Sequence, residues 1–78
     1  MKNYSKDIGA WLANQRKSRG FLQSDVGEKL GVTKSAVHYW ETGKRKIDAD
    51  EMINYCHVIG VDPQDLVRDL MKGSDQDE

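Results

Sequence analysis

Four side chains between Lys34 and Tyr39 have the chemistry to read a patterned polar surface. Lys34, Ser35, His38 and Tyr39 share one side of an apolar-periodic segment whose other side is Val37 and Trp40. On duplex DNA, a lysine there reaches guanine O6/N7 or a phosphate, and a serine reads any base weakly. Tyr39 either packs on a thymine methyl or bonds a phosphate, or tucks its ring beside Trp40. His38 either donates to a phosphate or is a wet surface histidine. None of the four is acidic. Lys44, Arg45 and Lys46 follow directly. They form either a solvated loop or a set of sugar-phosphate contacts, with Arg45 able to enter a minor groove. If each half-site of a dimer neutralises about four phosphates, log K falls with log[salt] at a slope of roughly −7.

The charge distribution favours that chemistry over others. The net charge is −1, but up to Lys46 ten Lys/Arg stand against four Asp/Glu, a net of +6. From Ile47 onward two stand against nine, a net of −7. Such charges either merely solvate the surface or, as a split this sharp favours, give the molecule one phosphate-facing side. Metal and catalytic readings fail. Cys56 and His57 are adjacent and diverge around a helix, and His38 is the one other histidine. No nucleophile–histidine–acid set or glycine-rich phosphate loop stands out, so neither enzyme activity nor a cofactor nor a metal is expected. Cys56 is a lone cysteine on an apolar stripe, which fits an inert buried thiol and a reducing cytoplasm. No apolar run approaches the ~20 residues of a membrane span, and the polar start MKNYSKD lacks a signal-peptide core.

The elements that position these residues are short helices. Seventy-eight residues with 37% hydrophobic content suit one small helical domain. Helix 1 is expected over about Ser5–Ser18, with Ile8 and Leu12 inward and Ser5 as cap; Trp11 either packs on helix 5 or stays partly exposed. Arg16 shares Leu12's face and is either snorkelling or paired. Helix 2 begins near Gln23, pairs Val26 with Leu30, and stops at Gly31. Gly27 costs ~1 kcal/mol against alanine and implies that the helix 3 backbone crosses close by. Thr33 is placed to cap helix 3, which spans about Lys34–Thr42. Asp48 and Glu51 form a capping-box pair opening helix 4, whose stripe is Met52, Tyr55, Cys56 and Ile59. Asp62-Pro63 opens helix 5, with Leu66, Val67 and Leu70 apolar and Met71 adjoining. Glycines 20, 31, 43, 60 and 73 each fall where a helix should stop. The expected domain is 1–73, followed by an acidic disordered tail at 74–78.

Gln23 to Gly43 is the helix-turn-helix pattern, in which the second helix enters a major groove. The chain resembles the phage-repressor and Cro-like (Xre) family. The matching residues are Leu12-x3-Arg16, Gly20, Gln23, Val26-Gly27-x2-Leu30-Gly31-Val32-Thr33, Val37, Trp40-Glu41-x-Gly43, Met52-x2-Tyr55-Cys56-x2-Ile59, Val61 and Leu66. They cover about Ile8 to Val67. The resemblance implies an all-α, five-helix, lambda-repressor-like domain that binds an operator, usually as a homodimer on a palindrome.

Carried over residue by residue, the resemblance gives Gln23 a phosphate contact. It gives Lys34, Ser35 and Tyr39 base edges, with His38 and Thr42 close by, and it pairs Arg16 with Glu41 between helices 1 and 3. With Thr33 and the Lys44, Arg45 and Lys46 loop these complete the candidate DNA-binding set. Departures are Leu22 in place of a Ser/Thr cap, which loosens the start of helix 2, Gly27 and Cys56 in place of alanines, and Ile47 in place of a proline, which loosens the loop before helix 4. The implied function is a cytoplasmic transcriptional regulator, a repressor by expectation, of prokaryotic or phage origin. Val61, Val67, Leu70 and Met71 either form the dimer contact or are buried within the monomer itself. Phage repressor, antitoxin and restriction-modification controller remain open as subclasses. The alternative of another kind is a protein-interaction module that kept the fold and lost DNA binding.

Overall fold

The computed structural model describes residues 1–76 and contains five helices and no strand among them. They are α1 (Ser5–Ser18), α2 (Gln23–Leu30), α3 (Lys34–Thr42), α4 (Ala49–Ile59) and α5 (Pro63–Gln76). α1 packs across α3, α4 and α5, while α2 packs on α3 and α4. The core is where the apolar stripes converge: Leu12, Val26, Val37, Trp40, Tyr55, Cys56, Ile59 and Leu66 are all buried. Trp40 and Tyr55 meet edge-on, with ring centroids 6.5 Å apart.

Local chemistry sets the helix ends. Thr33 Oγ1 accepts the Ala36 N–H at 3.0 Å, capping α3. Asp48 Oδ1 accepts from Glu51 N at 2.7 Å while Glu51 Oε1 accepts from Asp48 N at 3.0 Å, a complete capping box on α4. Gly31 takes φ +71° at the turn between α2 and α3, a conformation that a Cβ would oppose. Gly27 is needed for space: a Cβ there would lie 2.8 Å from the Val32 carbonyl oxygen. The backbone that crosses close to it is therefore chiefly the turn itself.

Four expectations need correction. Ser5 does not cap α1 with its side chain. Instead Asn3 Oδ1 accepts the Ser5 N–H at 2.8 Å, because the amide two residues upstream reaches the orphan donor first. Leu22 leaves α2 without a side-chain cap of the usual kind, but the start is not loose: Asp25 Oδ2 reaches back to the Leu22 N–H at 2.8 Å. Ile47 does not loosen its loop. It is buried against the core and anchors it. Gly73 does not end α5, which runs through it to Gln76. Gly20, Gly31, Gly43 and Gly60 have positive φ and Gly73 does not, so nothing reverses the chain there. The expected tail beginning at Ser74 thus starts inside this helix, and Asp77 and Glu78 lie outside the described residues.

Candidate nucleic-acid interface

α3 divides sharply into two faces. Ala36, Val37, Trp40 and Glu41 are buried, which leaves Lys34, Ser35, His38 and Tyr39 exposed on the other side. Gln23, from the first turn of α2, joins these four around one open depression. The short α2–α3 turn therefore brings an α2 side chain onto the outward face of α3. Thr33 is exposed beside them; its oxygen serves the α3 cap, and its hydroxyl hydrogen is left for a further acceptor. Thr42 is also exposed, but its hydroxyl donates to the His38 carbonyl at 3.0 Å. Its donor is spent within the helix.

The cation loop is folded back on the end of α3. Arg45 N donates to the Tyr39 carbonyl at 3.1 Å. The Lys44 ammonium lies 5.9 Å from the Tyr39 ring centroid, and the Arg45 guanidinium 5.9 Å from that of Trp40. Aromatic faces attract cations at that range, and the helix C-terminus favours positive charge. Lys44, Arg45 and Lys46 are all exposed. The loop thus sets Lys44 and Arg45 next to the α3 face, with Lys46 following them on the surface.

Behind this face, side chains from four helices meet at one carboxylate. Arg16 of α1 donates from Nε to Glu41 Oε2 at 2.7 Å and from Nη2 to Glu41 Oε1 at 2.9 Å, a bidentate fork. Its Nη1 donates to the Phe21 carbonyl at 2.8 Å. Tyr55 of α4 donates its hydroxyl to Glu41 Oε2, and Gln23 of α2 donates Nε2 to Glu41 Oε1 at 2.9 Å. Arg16 is 6% exposed and Glu41 8%, so the pair is desolvated and depends on these bonds.

Burial pushes the Glu41 carboxyl up, but hydrogen bonds from Arg16, Gln23 and Tyr55 outweigh it and hold the group below the usual carboxylate range. The bond to Glu41 raises the Arg16 guanidinium further. Burial, then the Glu41 bond, raises the Tyr55 phenol. Glu41 is charged at neutral pH and Tyr55 is a donor.

Two partners of this carboxylate were not visible in the sequence. Tyr55 reads there as a stripe hydrophobe, and Gln23 as a phosphate ligand. The available signal was Tyr55 itself: a tyrosine on a buried stripe needs a partner for its hydroxyl.

Elsewhere the chemistry is inert. Cys56 is fully buried, and desolvation with the Asp62 charge pushes its thiol up to about 11. Among the described residues no group of His, Cys, Asp or Glu is arranged to hold a metal ion. Nor is any helix there long and apolar enough to cross a membrane. Trp11 is half-buried, and its indole N–H donates to Asp69 Oδ2 at 2.9 Å, tying α1 to α5. On α5, Val67 and Met71 are 53% and 52% exposed, with Leu70 and Val61 half-buried.

No curated protein matches the sequence. Among solved structures, the clp gene regulator ClgR from C. glutamicum superposes with a TM-score of 0.84 at 18% identity, covering 94% of this chain and 95% of that one. At that identity the likeness is one of fold. The helix-turn-helix family model HTH_3 matches residues 12–66, which takes in α2, the turn, α3 and the Arg16–Glu41 pair behind them. The chain belongs to this helix-turn-helix family.

Proposed function

We propose that the protein is a sequence-specific DNA-binding transcriptional regulator acting as a repressor. The observation that carries this is the outward face of α3. It is exposed, contains no acidic residue, and is followed by three exposed cations, of which Lys44 and Arg45 are held against the end of the same helix. In this reading α3 lies in the major groove, Lys34, Ser35, His38 and Tyr39 approach base edges, and Lys44, Arg45 and Lys46 hold the backbone. Thr33 donates to a phosphate. Thr42 keeps a supporting place because its donor is spent. The five helices act as one DNA-binding unit.

The partner is a palindromic operator. Two copies joined through the apolar side of α5 set two α3 helices about 34 Å apart, one turn of DNA. Family membership and the shared fold with a gene regulator support the DNA-binding part of this reading. A lone buried cysteine fits a reducing cytoplasm.

The test is selection of bound sequences from random duplexes, followed by gel shifts at two salt concentrations. Enrichment of a palindrome, bound more weakly at higher salt, is the expected result. No enriched sequence and no retarded band at low salt would overturn the reading in favour of a protein-interaction module.

A further inference from the structure

Glu41 reaches the α3 surface indirectly, through Gln23. Glu41 Oε1 accepts from Gln23 Nε2 at 2.9 Å. A carboxylate only accepts, so the Gln23 atom facing it must be the amide nitrogen. The side-chain amide therefore has one orientation. The same nitrogen lies 3.4 Å from Nδ1 of the exposed His38. An amide nitrogen donates and does not accept, so a bond between these two atoms requires a lone pair on Nδ1. The proton of the neutral ring is then on Nε2.

We propose that Gln23 is a positioning residue that holds His38 as the Nε2–H tautomer, so that the ring offers DNA a single donor. The atom it recognises is an acceptor: a base acceptor in the major groove, or a phosphate oxygen. The DNA part rests on the function proposed above; the tautomer does not. The chain of orientation runs from Arg16 and Tyr55, which fix Glu41, to Gln23 and then to His38. Gln23 itself is not a phosphate donor in this arrangement, because both hydrogens of its amide are engaged.

The tautomer is read in the free protein by 15N NMR of the histidine rings at about pH 8.5, where imidazole is ordinarily neutral. His57 on α4 serves as the reference. His38 is expected as a single Nε2–H species, and Gln23→Met is expected to restore a mixture while leaving His57 unchanged. A His38 carrying its proton on Nδ1, or one whose spectrum ignores Gln23→Met, overturns the proposal. If Gln23→Met does not fold, a 15N–15N coupling across the Gln23–His38 hydrogen bond in the unaltered protein decides the same point, and its absence counts against the contact.

With a selected duplex, His38→Ala and Gln23→Met should each weaken binding about fivefold, one hydrogen bond's worth. A loss confined to one base pair identifies a base acceptor, and an equal loss on every duplex identifies a phosphate. No loss in His38→Ala overturns the recognition role. If the unaltered protein binds no duplex while the tautomer is as stated, the proposed function fails and the positioning role stands.

Discussion

Gly9 of α1 lies directly against the backbone of Trp40 on α3: a Cβ on Gly9 would sit 2.2 Å from the Trp40 carbonyl oxygen and 2.6 Å from that of Glu41. The obstacle is backbone, so no rotamer change relieves it. Substituting alanine forces α1 away from the end of α3 that carries the buried Trp40 and Glu41. Gly9→Ala should cost ~3 kcal/mol, a fall in Tm of roughly 15 °C for a domain of this size. Gly73 is the contrast. It is helical, has no positive φ, and has nothing within 4 Å of its would-be Cβ. Gly73→Ala should raise stability by up to about 0.5 kcal/mol, the helix-propensity gain reduced near a helix end. Thermal unfolding of both variants checks the pair, and equal effects would contradict this account of Gly9.

Removing the Glu41 carboxylate leaves the Arg16 cation buried and the Tyr55 hydroxyl without its acceptor. Glu41→Ala should cost about 3–5 kcal/mol and weaken DNA binding as α3 shifts. The pH dependence follows from the direction of the shift. Glu41 is held below its ordinary value in the folded state, so its contribution is complete above the unfolded-state value near about 4.3. It is lost as pH falls through the depressed folded value. Urea unfolding at a series of acidic pH values should therefore show a shallower acid limb for a folded Glu41→Gln variant than for the unaltered protein. Identical slopes would sink this assignment.

What the sequence revealed and what it hid follow from the range of the interactions. Thr33, Gly31, Asp48 and Glu51 act on residues within one turn, so their types and spacing disclosed both the helix ends and the turn that offers α3 to a partner. Tyr55 and Gln23 act on Glu41 from 14 and 18 residues away. No local pattern marks such bonds, and each residue was read by its neighbours instead. Gly9 is similar, because a glycine required by a helix crossing looks the same in sequence as one merely tolerated. Ile47 has no periodic neighbours to mark it as core. Gly73 misled because the four other inter-helix glycines do stop their helices.

The cations of the loop should set affinity rather than register. For a dimer with about eight phosphate contacts, log K falls with log[salt] at a slope of roughly −7. Replacing Lys44, Arg45 and Lys46 together by alanine removes three cations per half-site. The slope should fall in magnitude by about 5 if all three touch phosphate. The preferred sequence should stay the same, since Lys34, Ser35, His38 and Tyr39 are untouched. Titrations of the selected duplex across a salt series measure the slope. An unchanged slope would mean the loop is simply solvated.

The exposed pair on α5 should decide the oligomeric state if the proposed dimer forms there. Val67 and Met71 are four residues apart and therefore share one helix face, each about half exposed, while Leu70 and Val61 are half-buried against the core. In a two-fold dimer this patch meets its own copy, so every substitution counts twice. Val67→Asp with Met71→Asp would set four carboxylates in an apolar contact, where charge is costly. The same changes sit at the surface of an isolated chain and should leave its fold intact. Sedimentation should show a dimer for the unaltered protein and a monomer for the double variant, with unchanged helical circular dichroism. Binding to a full palindrome should then weaken about a hundredfold or more, the loss of linkage between two half-sites, while binding to an isolated half-site stays the same. A monomeric unaltered protein, or a double variant that remains dimeric, would move the interface away from α5.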